Sequence, residues 1–218
     1  MKNKRALILL GGMWHNFDGF ARAATSLLAT AGWQTHATYD LDHLTNLESD
    51  PFELVMSYTC FSIHADGLDN SGPERMSDAQ IDGLTRWVRA GGGFLSMHSA
   101  SVCGLSGPGL RELTGGRFIS HPDPFVFTVY PVHRPHPIIA NVEAFSVYDE
   151  MYIEECDRNV DVHMWTVDRS IAYPMVWSKP EGNGRVVHIA MGHYPTVWAH
   201  EQYQRLMLQA TTWLTEKI

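Results

Sequence analysis

The sequence has few cysteines. Cys60, Cys103 and Cys156 are the only three, they lie far apart, and none belongs to a CxxC pair. A disulfide framework needs an even and denser set of cysteines, and a structural zinc knuckle needs closely spaced pairs. The sequence therefore predicts free thiols and argues against both of these classes.

Basic charge and long apolar runs are also scarce. The chain has 16 Lys and Arg against 24 Asp and Glu, a formal net charge of −8, and no local basic patch. A nucleic acid or an anionic membrane would be repelled by this balance. The apolar run at residues 6–10 stops at Gly11-Gly12, which is too short for a signal sequence or a membrane span. We therefore expect a cytoplasmic protein that binds neither partner.

Several well-known catalytic and cofactor motifs are missing. Gly11-Gly12 lacks the further glycines of a dinucleotide fingerprint, and no GxxxxGK[ST] loop occurs, so we expect no nucleotide cofactor. The glycine-flanked Ser106 does not follow a predicted strand, as the nucleophile of a serine hydrolase should. His200-Glu201 lacks the second histidine of the metalloprotease motif.

The chain has the length and pattern of an α/β protein. It has 218 residues, of which 44% are hydrophobic and 18% charged, so one domain over residues 1–218 is expected. Apolar runs predict buried strands at residues 5–10, 33–39, 54–58 and 93–96, with a helix after the first strand and another opened by the capping box Ser77–Gln80. This order predicts a mainly parallel sheet with helices on both faces.

The second half of the chain has a different pattern. Alternating apolar residues between 125 and 165 predict added antiparallel strands, and segments 173–178 and 185–190 flank a turn-rich link, which predicts a hairpin. An apolar stripe over residues 203–214 predicts a C-terminal helix. Exposed apolar surface on the middle segment would provide a contact for a homodimer.

Histidine is the most informative residue type, with 12 in the chain. Four of them each follow a predicted strand: His15, His64, His98 and His193. Ligands of open α/β sheets bind beyond the carboxyl ends of the strands, so these imidazoles are predicted to converge. The alternative, four ordinary surface or hydrogen-bonded histidines, stays open.

Two further groups of residues accompany these histidines. Asp149, Glu150 and Tyr152 end an alternating run, where a carboxylate could orient imidazoles, accept a proton or join a metal shell, although a solvated acidic loop is the alternative. Three tryptophans are predicted near the same edge, where they would stack on a sugar unless they pack in the core: Trp14, Trp177 and Trp198.

The remaining histidines are expected to have ordinary roles. Those within elements or on predicted exposed faces are His36, His43, His163, His188 and His200. His133 and His136 have metal-like spacing but lie among prolines, which favours a loop.

Seven motifs follow one another between residues 91 and 193. They are GGGF at 91–94, LTGGRF at 113–118, HP at 121–122, DEMY at 149–152, PMVW at 174–177, GNGRV at 182–186 and GH at 192–193. Together they resemble the ThuA-like (trehalose utilisation) family. The resemblance implies a flavodoxin-like three-layer sandwich of the class I glutamine amidotransferase type. His98 stands where amidotransferases carry their nucleophilic cysteine, so glutaminase activity is disfavoured.

The resemblance also implies sugar metabolism, with substrates already oxidised to keto-sugars. On this hypothesis His98, Glu150 and His193 are catalytic acid/base residues or ligands of zinc or manganese, and the reaction is isomerisation or elimination. The predicted substrate-binding residues are His15, Trp14, His64, His121, Asp149, Tyr152, Trp177 and Tyr194. Two alternatives remain, a non-catalytic carbohydrate-binding or regulatory protein and a metal-dependent hydrolase.

Overall fold

The first part of the chain alternates strands with helices. The computed structural model describes residues 4–50, 52–61 and 75–216. Its first elements are β1 (Lys4–Gly12), α1 (Phe17–Thr30), β2 (Trp33–Thr38), a 3-10 helix (Leu41–Ser49), β3 (Leu54–Cys60), α2 (Asp78–Arg89) and β4 (Gly93–Met97). The four predicted strands and the two predicted helices are present.

The second part is richer in strands, as the alternating pattern predicted. The elements after β4 are a 3-10 turn (His98–Ser101), α3 (Pro108–Thr114), β5 (Gly116–Ser120), β6 (Phe125–Pro131), a 3-10 turn (Pro137–Ile139), β7 (Phe145–Asp149), β8 (Ile153–Cys156), β9 (Asp161–Asp168), β10 (Ile171–Glu181), β11 (Gly184–Ile189), α4 (Pro195–Trp198) and α5 (Glu201–Thr215). The predicted hairpin is formed by β10 and β11, and the predicted C-terminal helix is α5.

Within the described residues, nine strands form one mixed sheet in the order β2-β1-β3-β4-β11-β10-β9-β6-β7, and β5 and β8 form a separate pair. The pairs from β2 to β11 are parallel, and the pairs from β11 to β7 are antiparallel. The carboxyl ends of β1, β3, β4 and β11 consequently share one edge of the sheet. The mainly parallel α/β sandwich with added antiparallel strands is thus confirmed.

The core has one layer on each face of the sheet. Ala6 and Ile8 of β1 pack in a cluster with residues of α1 and α5, whereas Leu7 and Leu9 pack in a second cluster with α2 and α3. Successive side chains of a strand point to opposite faces, so continuous apolar runs are needed where both faces are covered. This requirement explains the unbroken apolar run of β1.

Helix α2 shows how the sequence determines local structure. The Ser77 hydroxyl accepts the Gln80 amide at 3.3 Å, and the Gln80 side chain accepts the Ser77 amide at 2.9 Å. This reciprocal pair satisfies two of the donors that a helix start leaves free. Its apolar residues Ile81, Leu84 and Val88 are buried, as predicted from their spacing.

The antiparallel extension exposes several apolar side chains. Val126 and Tyr148 lie opposite each other on β6 and β7, and Tyr130 and Val167 are also exposed. The homodimer suggested by exposed apolar surface on this segment stays a prediction. Among the helices of the described residues, none has the length and apolar content needed to span a membrane.

We expect Gly83→Ala to destabilise the protein, although alanine normally stabilises a helix interior relative to glycine. A Cβ at position 83 would overlap the Leu44 carbonyl oxygen, where α2 meets the 3-10 helix. The free energy of unfolding should fall by about 1–3 kcal/mol in urea denaturation. Arg86→Ala is the control on the same helix, since Arg86 is exposed and its loss should change stability by less than about 0.5 kcal/mol. Equal stability of Gly83→Ala and wild type would contradict this packing.

Candidate functional site

Three of the four strand-end histidines lie together. His15 follows β1, His98 follows β4 and His193 follows β11. The ring centroids are 5.2 Å apart for His15 and His98, 4.7 Å for His15 and His193, and 5.7 Å for His98 and His193. His64, the fourth, lies outside the described residues.

His98 is the first residue of the 3-10 turn that directly follows β4. Its backbone φ is +44°, in the left-handed region that non-glycine residues rarely adopt. Its side chain is fully buried. Such a turn, whose strain the surrounding structure must compensate, fixes the imidazole at the end of the strand.

The carboxylate of Glu150 faces the histidines. Its Oε2 atom is 3.1 Å from His193 Nδ1, 3.6 Å from His98 Nε2 and 3.8 Å from His121 Nε2. Burial by itself would raise the pKa of Glu150, but the adjacent His193 and His98 outweigh it and hold that pKa well below its usual range. Glu150 is therefore an ionised carboxylate at neutral pH.

Backbone carbonyls set the tautomers of two of these histidines. His98 Nδ1 is 2.6 Å from the Ala190 carbonyl oxygen, and His15 Nδ1 is 2.8 Å from that of Met13. A carbonyl can only accept, so each Nδ1 carries a hydrogen, and Nε2 is the atom that has the lone pair in the neutral form of each ring. Burial, and secondarily His98, lowers the pKa of His15 to about 3, so this imidazole is neutral.

Among the residues that the structure describes, no donor reaches the Nε2 atoms of His15 and His98. The buried Nε2 atoms of His15 and His98 have no hydrogen-bond partner among the described residues, and His193 Nδ1, although close to Glu150, is not aligned for one. One potential ligand atom from each of His15, His98, Glu150 and His193 lies within 4.8 Å of the others. Two imidazoles held by backbone carbonyls, those of His15 and His98, together with the Glu150 carboxylate suit zinc or manganese.

His15 was predicted only as a pocket-lining residue, yet it completes this set of four. A sequence signal for it existed, because His15 follows a predicted strand just as His98 and His193 do.

Asp149 has a different place from the one predicted. It is fully buried, and its two carboxylate oxygens accept the backbone amides of Gly192 at 2.7 Å and His193 at 3.0 Å. The alternation of β7 turns this side chain inward. Asp149 therefore holds the loop that carries His193, and its predicted substrate contact is corrected.

Both tyrosines that were predicted to bind substrate border the histidines. Tyr152 is buried, and its ring stacks on His98 at 4.0 Å and 28°. Burial raises the pKa of the Tyr152 hydroxyl well above its usual value, so this hydroxyl stays protonated at neutral pH. The Tyr152 ring lines the site beside His98. Tyr194 is half-buried with its ring 4.6 Å from that of His193.

The three tryptophans have different environments. Trp177 is fully buried, its indole donates to the Thr114 carbonyl at 2.9 Å, and its ring packs on His188, so the predicted sugar contact is wrong for it. Trp198 is buried and donates to the Gly192 carbonyl. Trp14, next to His15, is 63% exposed. Of these three tryptophans, Trp14 alone is exposed.

Two histidines expected to be ordinary are fully buried. His188 Nε2 is 3.1 Å from Glu154 Oε2, and its Nδ1 is 2.9 Å from Ser96 Oγ. His163 Nε2 is 2.7 Å from Ser178 Oγ. Both lie within strands, as expected, but neither has an exposed face.

His136, Asp161 and His163 form a second group with close potential ligand atoms. The rings of His136 and His163 stack at 4.1 Å and 26°, and Asp161 already pairs with Arg134. The lone pairs of an imidazole lie in its ring plane, so two nearly parallel rings direct them poorly to a common ion. This group fits a metal less well than the first.

Burial of His163 predicts a pH dependence of stability. Burial, and secondarily His136, lowers the pKa of His163 from 6.5 to about 3. The unfolded chain takes up this proton first as the pH falls, so the contribution is present above pH 6.5 and is lost below it. Below that pH, the free energy of unfolding falls by up to about 1.4 kcal/mol per pH unit because of His163.

Urea denaturation at pH 7, 5 and 4 checks this expectation. The stability advantage of wild type over His163→Asn should shrink as the pH falls, whereas exposed His133→Asn should run parallel to wild type. A pH-independent difference between wild type and His163→Asn would show that His163 does not contribute in this way.

Solved structures of other proteins have a similar fold. A ThuA-like protein of Bacteroides uniformis aligns with a TM-score of 0.75 and 18% identity over 97% of this chain and 91% of that chain. One of Parabacteroides merdae aligns with a TM-score of 0.79 and 15% identity over 100% and 92%. A β-galactosidase of Rahnella sp. R3 aligns with a TM-score of 0.67 and 14% identity over 100% and 32%. At these identities the likeness shows the fold alone.

The sequence comparisons complete this result. No protein of curated function matches the chain. The profile of the ThuA family, described as trehalose utilisation, matches residues 5–214. The chain therefore belongs to the ThuA family.

Proposed function

We propose that this protein is an enzyme that isomerises, or eliminates a group from, a keto-sugar or keto-disaccharide by metal-assisted acid/base chemistry. The trehalose-utilisation family supports a role in sugar utilisation. The proposed metal is zinc or manganese, and its proposed ligands are His15, His98, Glu150 and His193.

The four clustered ligand atoms carry this proposal. A buried polar atom without a partner costs about 1–3 kcal/mol, and His15 and His98 each bury one such nitrogen beside the ionised Glu150. A divalent cation would satisfy these nitrogens and the carboxylate together. The donor set matches the preference of zinc and manganese for imidazole and carboxylate.

The chemistry of a keto-sugar suits such a site. Hydrogens on the carbon beside a carbonyl are acidic, and a divalent ion, when bound, polarises the carbonyl oxygen. The chain's own residues would hold the substrate, exclude water and carry protons. Tyr152, packed against His98, closes one side of the site, and Asp149 fixes the backbone of His193.

The surroundings favour an uncharged carbohydrate. Among the described residues, the ring and ion-pair contacts of the four proposed ligands involve no Lys or Arg. Recognition of a phosphate group ordinarily uses such cations. Trp14, which is exposed next to His15, is the proposed apolar contact for a sugar.

Elemental analysis of protein purified without an affinity tag tests the metal site. We expect about one equivalent of zinc or manganese in wild type, and loss of that metal in His98→Ala and His15→Ala. His133→Ala, which changes an exposed loop histidine, is the matched control and should keep the metal. An equal metal content in all four proteins would reject these ligands.

Turnover of authentic keto-disaccharide tests the activity. His98→Ala and Glu150→Ala should lose on the order of 100-fold or more of the wild-type rate, and unchanged rates would reject the proposal. Sugar binding with no product under any metal condition would identify a carbohydrate-binding or regulatory protein. Activity on the unoxidised glycoside would identify a metal-dependent hydrolase.

A further inference from the structure

We infer that His121 is a catalytic residue of this site, the group that moves a proton between neighbouring carbons of the keto-sugar. This inference rests on the proposed function. It goes further than substrate contact, the role that the sequence predicted for His121.

His121 reaches the site from an element of its own. It lies between β5 and β6, whereas the four proposed ligands follow β1, β4, β7 and β11. Its Nε2 atom is 3.8 Å from Glu150 Oε2, which is too long for a hydrogen bond. The His121 imidazole therefore stands at the rim of the ligand cluster.

The orientation of the ring leaves one nitrogen available. His121 Nδ1 is 2.9 Å from the Pro122 carbonyl oxygen, which can only accept a hydrogen bond. Nδ1 thus carries a hydrogen, and Nε2, which has the lone pair in the neutral form of the ring, points to the Glu150 side. A base that takes a proton from substrate needs such a lone pair.

Exposure separates His121 from the proposed ligands. Its side chain is 34% exposed, whereas that of His98 is fully buried. His121 consequently faces solvent and the cluster at the same time. A substrate whose carbonyl oxygen lies over the buried cluster would present its adjacent carbon on this open side.

Aromatic packing positions the His121 ring. It stacks on Tyr152 at 5.7 Å and 19°, and Phe118 lies 5.8 Å away. Tyr152 also stacks on His98. One buried tyrosine therefore sets the rim imidazole relative to a proposed ligand.

The proton transfer balances without any oxidant or reductant. Nε2 takes the hydrogen of the carbon beside the carbonyl as a proton, the C–H electron pair forms a carbon–carbon double bond, and the carbonyl π pair moves onto oxygen. The same Nε2 then returns the proton to the former carbonyl carbon. The neighbouring hydroxyl passes its proton to the former carbonyl oxygen and becomes the new carbonyl.

Exchange of substrate hydrogen in D2O tests this role separately from metal binding. Wild type should exchange the hydrogen beside the carbonyl of a keto-disaccharide, as followed by NMR. His121→Ala and His121→Gln should keep the metal and the wild-type unfolding temperature but exchange on the order of 100-fold more slowly. Added imidazole should restore part of the rate in His121→Ala, and His133→Ala should behave as wild type.

Each contrary result has a distinct meaning. Wild-type exchange in metal-loaded His121→Ala, or no effect of imidazole on that variant, would overturn the role of His121 and leave the proposed function standing. Loss of metal in both His121 variants would make His121 a ligand and also overturn the inference. Wild type that neither holds metal nor exchanges hydrogen would overturn the proposed function and this inference with it.

Discussion

The contact between one half-buried carboxylate, that of Glu150, and several imidazoles organises the carboxyl edge of the sheet. Glu150 Oε2 lies within 3.1–3.8 Å of nitrogens of His193, His98 and His121. A carboxylate is costly to bury unless it is paired with a positive charge or a metal ion. The histidines come from different elements, so the fold must hold each of those elements in place to keep the group together.

Several hydrogen bonds hold the loop after β11, which carries His193, in place. The Gly192 carbonyl accepts from the Tyr58 hydroxyl at 2.9 Å and from the Trp198 indole at 2.6 Å, while Asp149 accepts the Gly192 and His193 amides. Gly192 has a φ of +139°, and a Cβ there would approach the Tyr203 hydroxyl to 2.7 Å. Glycine is required at this position, and the loop has little freedom left.

A second set of contacts ties the same strands together below the site. Ser96, His188 and Glu154 form a buried hydrogen-bonded chain across β4, β11 and β8.

The environment of the cysteines argues against thiolate catalysis. Burial raises the pKa of the Cys103 thiol to about 11 and that of Cys60 to about 12. Both cysteines are thiols, not thiolates, at neutral pH.

The sequence by itself determined the local structure and part of the site. Apolar runs bounded by glycine specified the parallel strands, the Ser77–Gln80 box specified α2, and the positions after strands singled out His15, His98 and His193. These features depend on backbone periodicity and on the rule that parallel strands end at one edge.

Only the tertiary structure decided which side chains meet. Glu150 follows β7, the strand at the far end of the sheet order, yet the antiparallel extension brings it to His98 and brings Asp149 to the β11 loop. The sequence left Glu150 as either a site residue or part of a solvated acidic loop, and it misplaced Asp149 and Trp177. The reason is physical, because burial and partners depend on contacts between segments remote in sequence, which local periodicity does not encode.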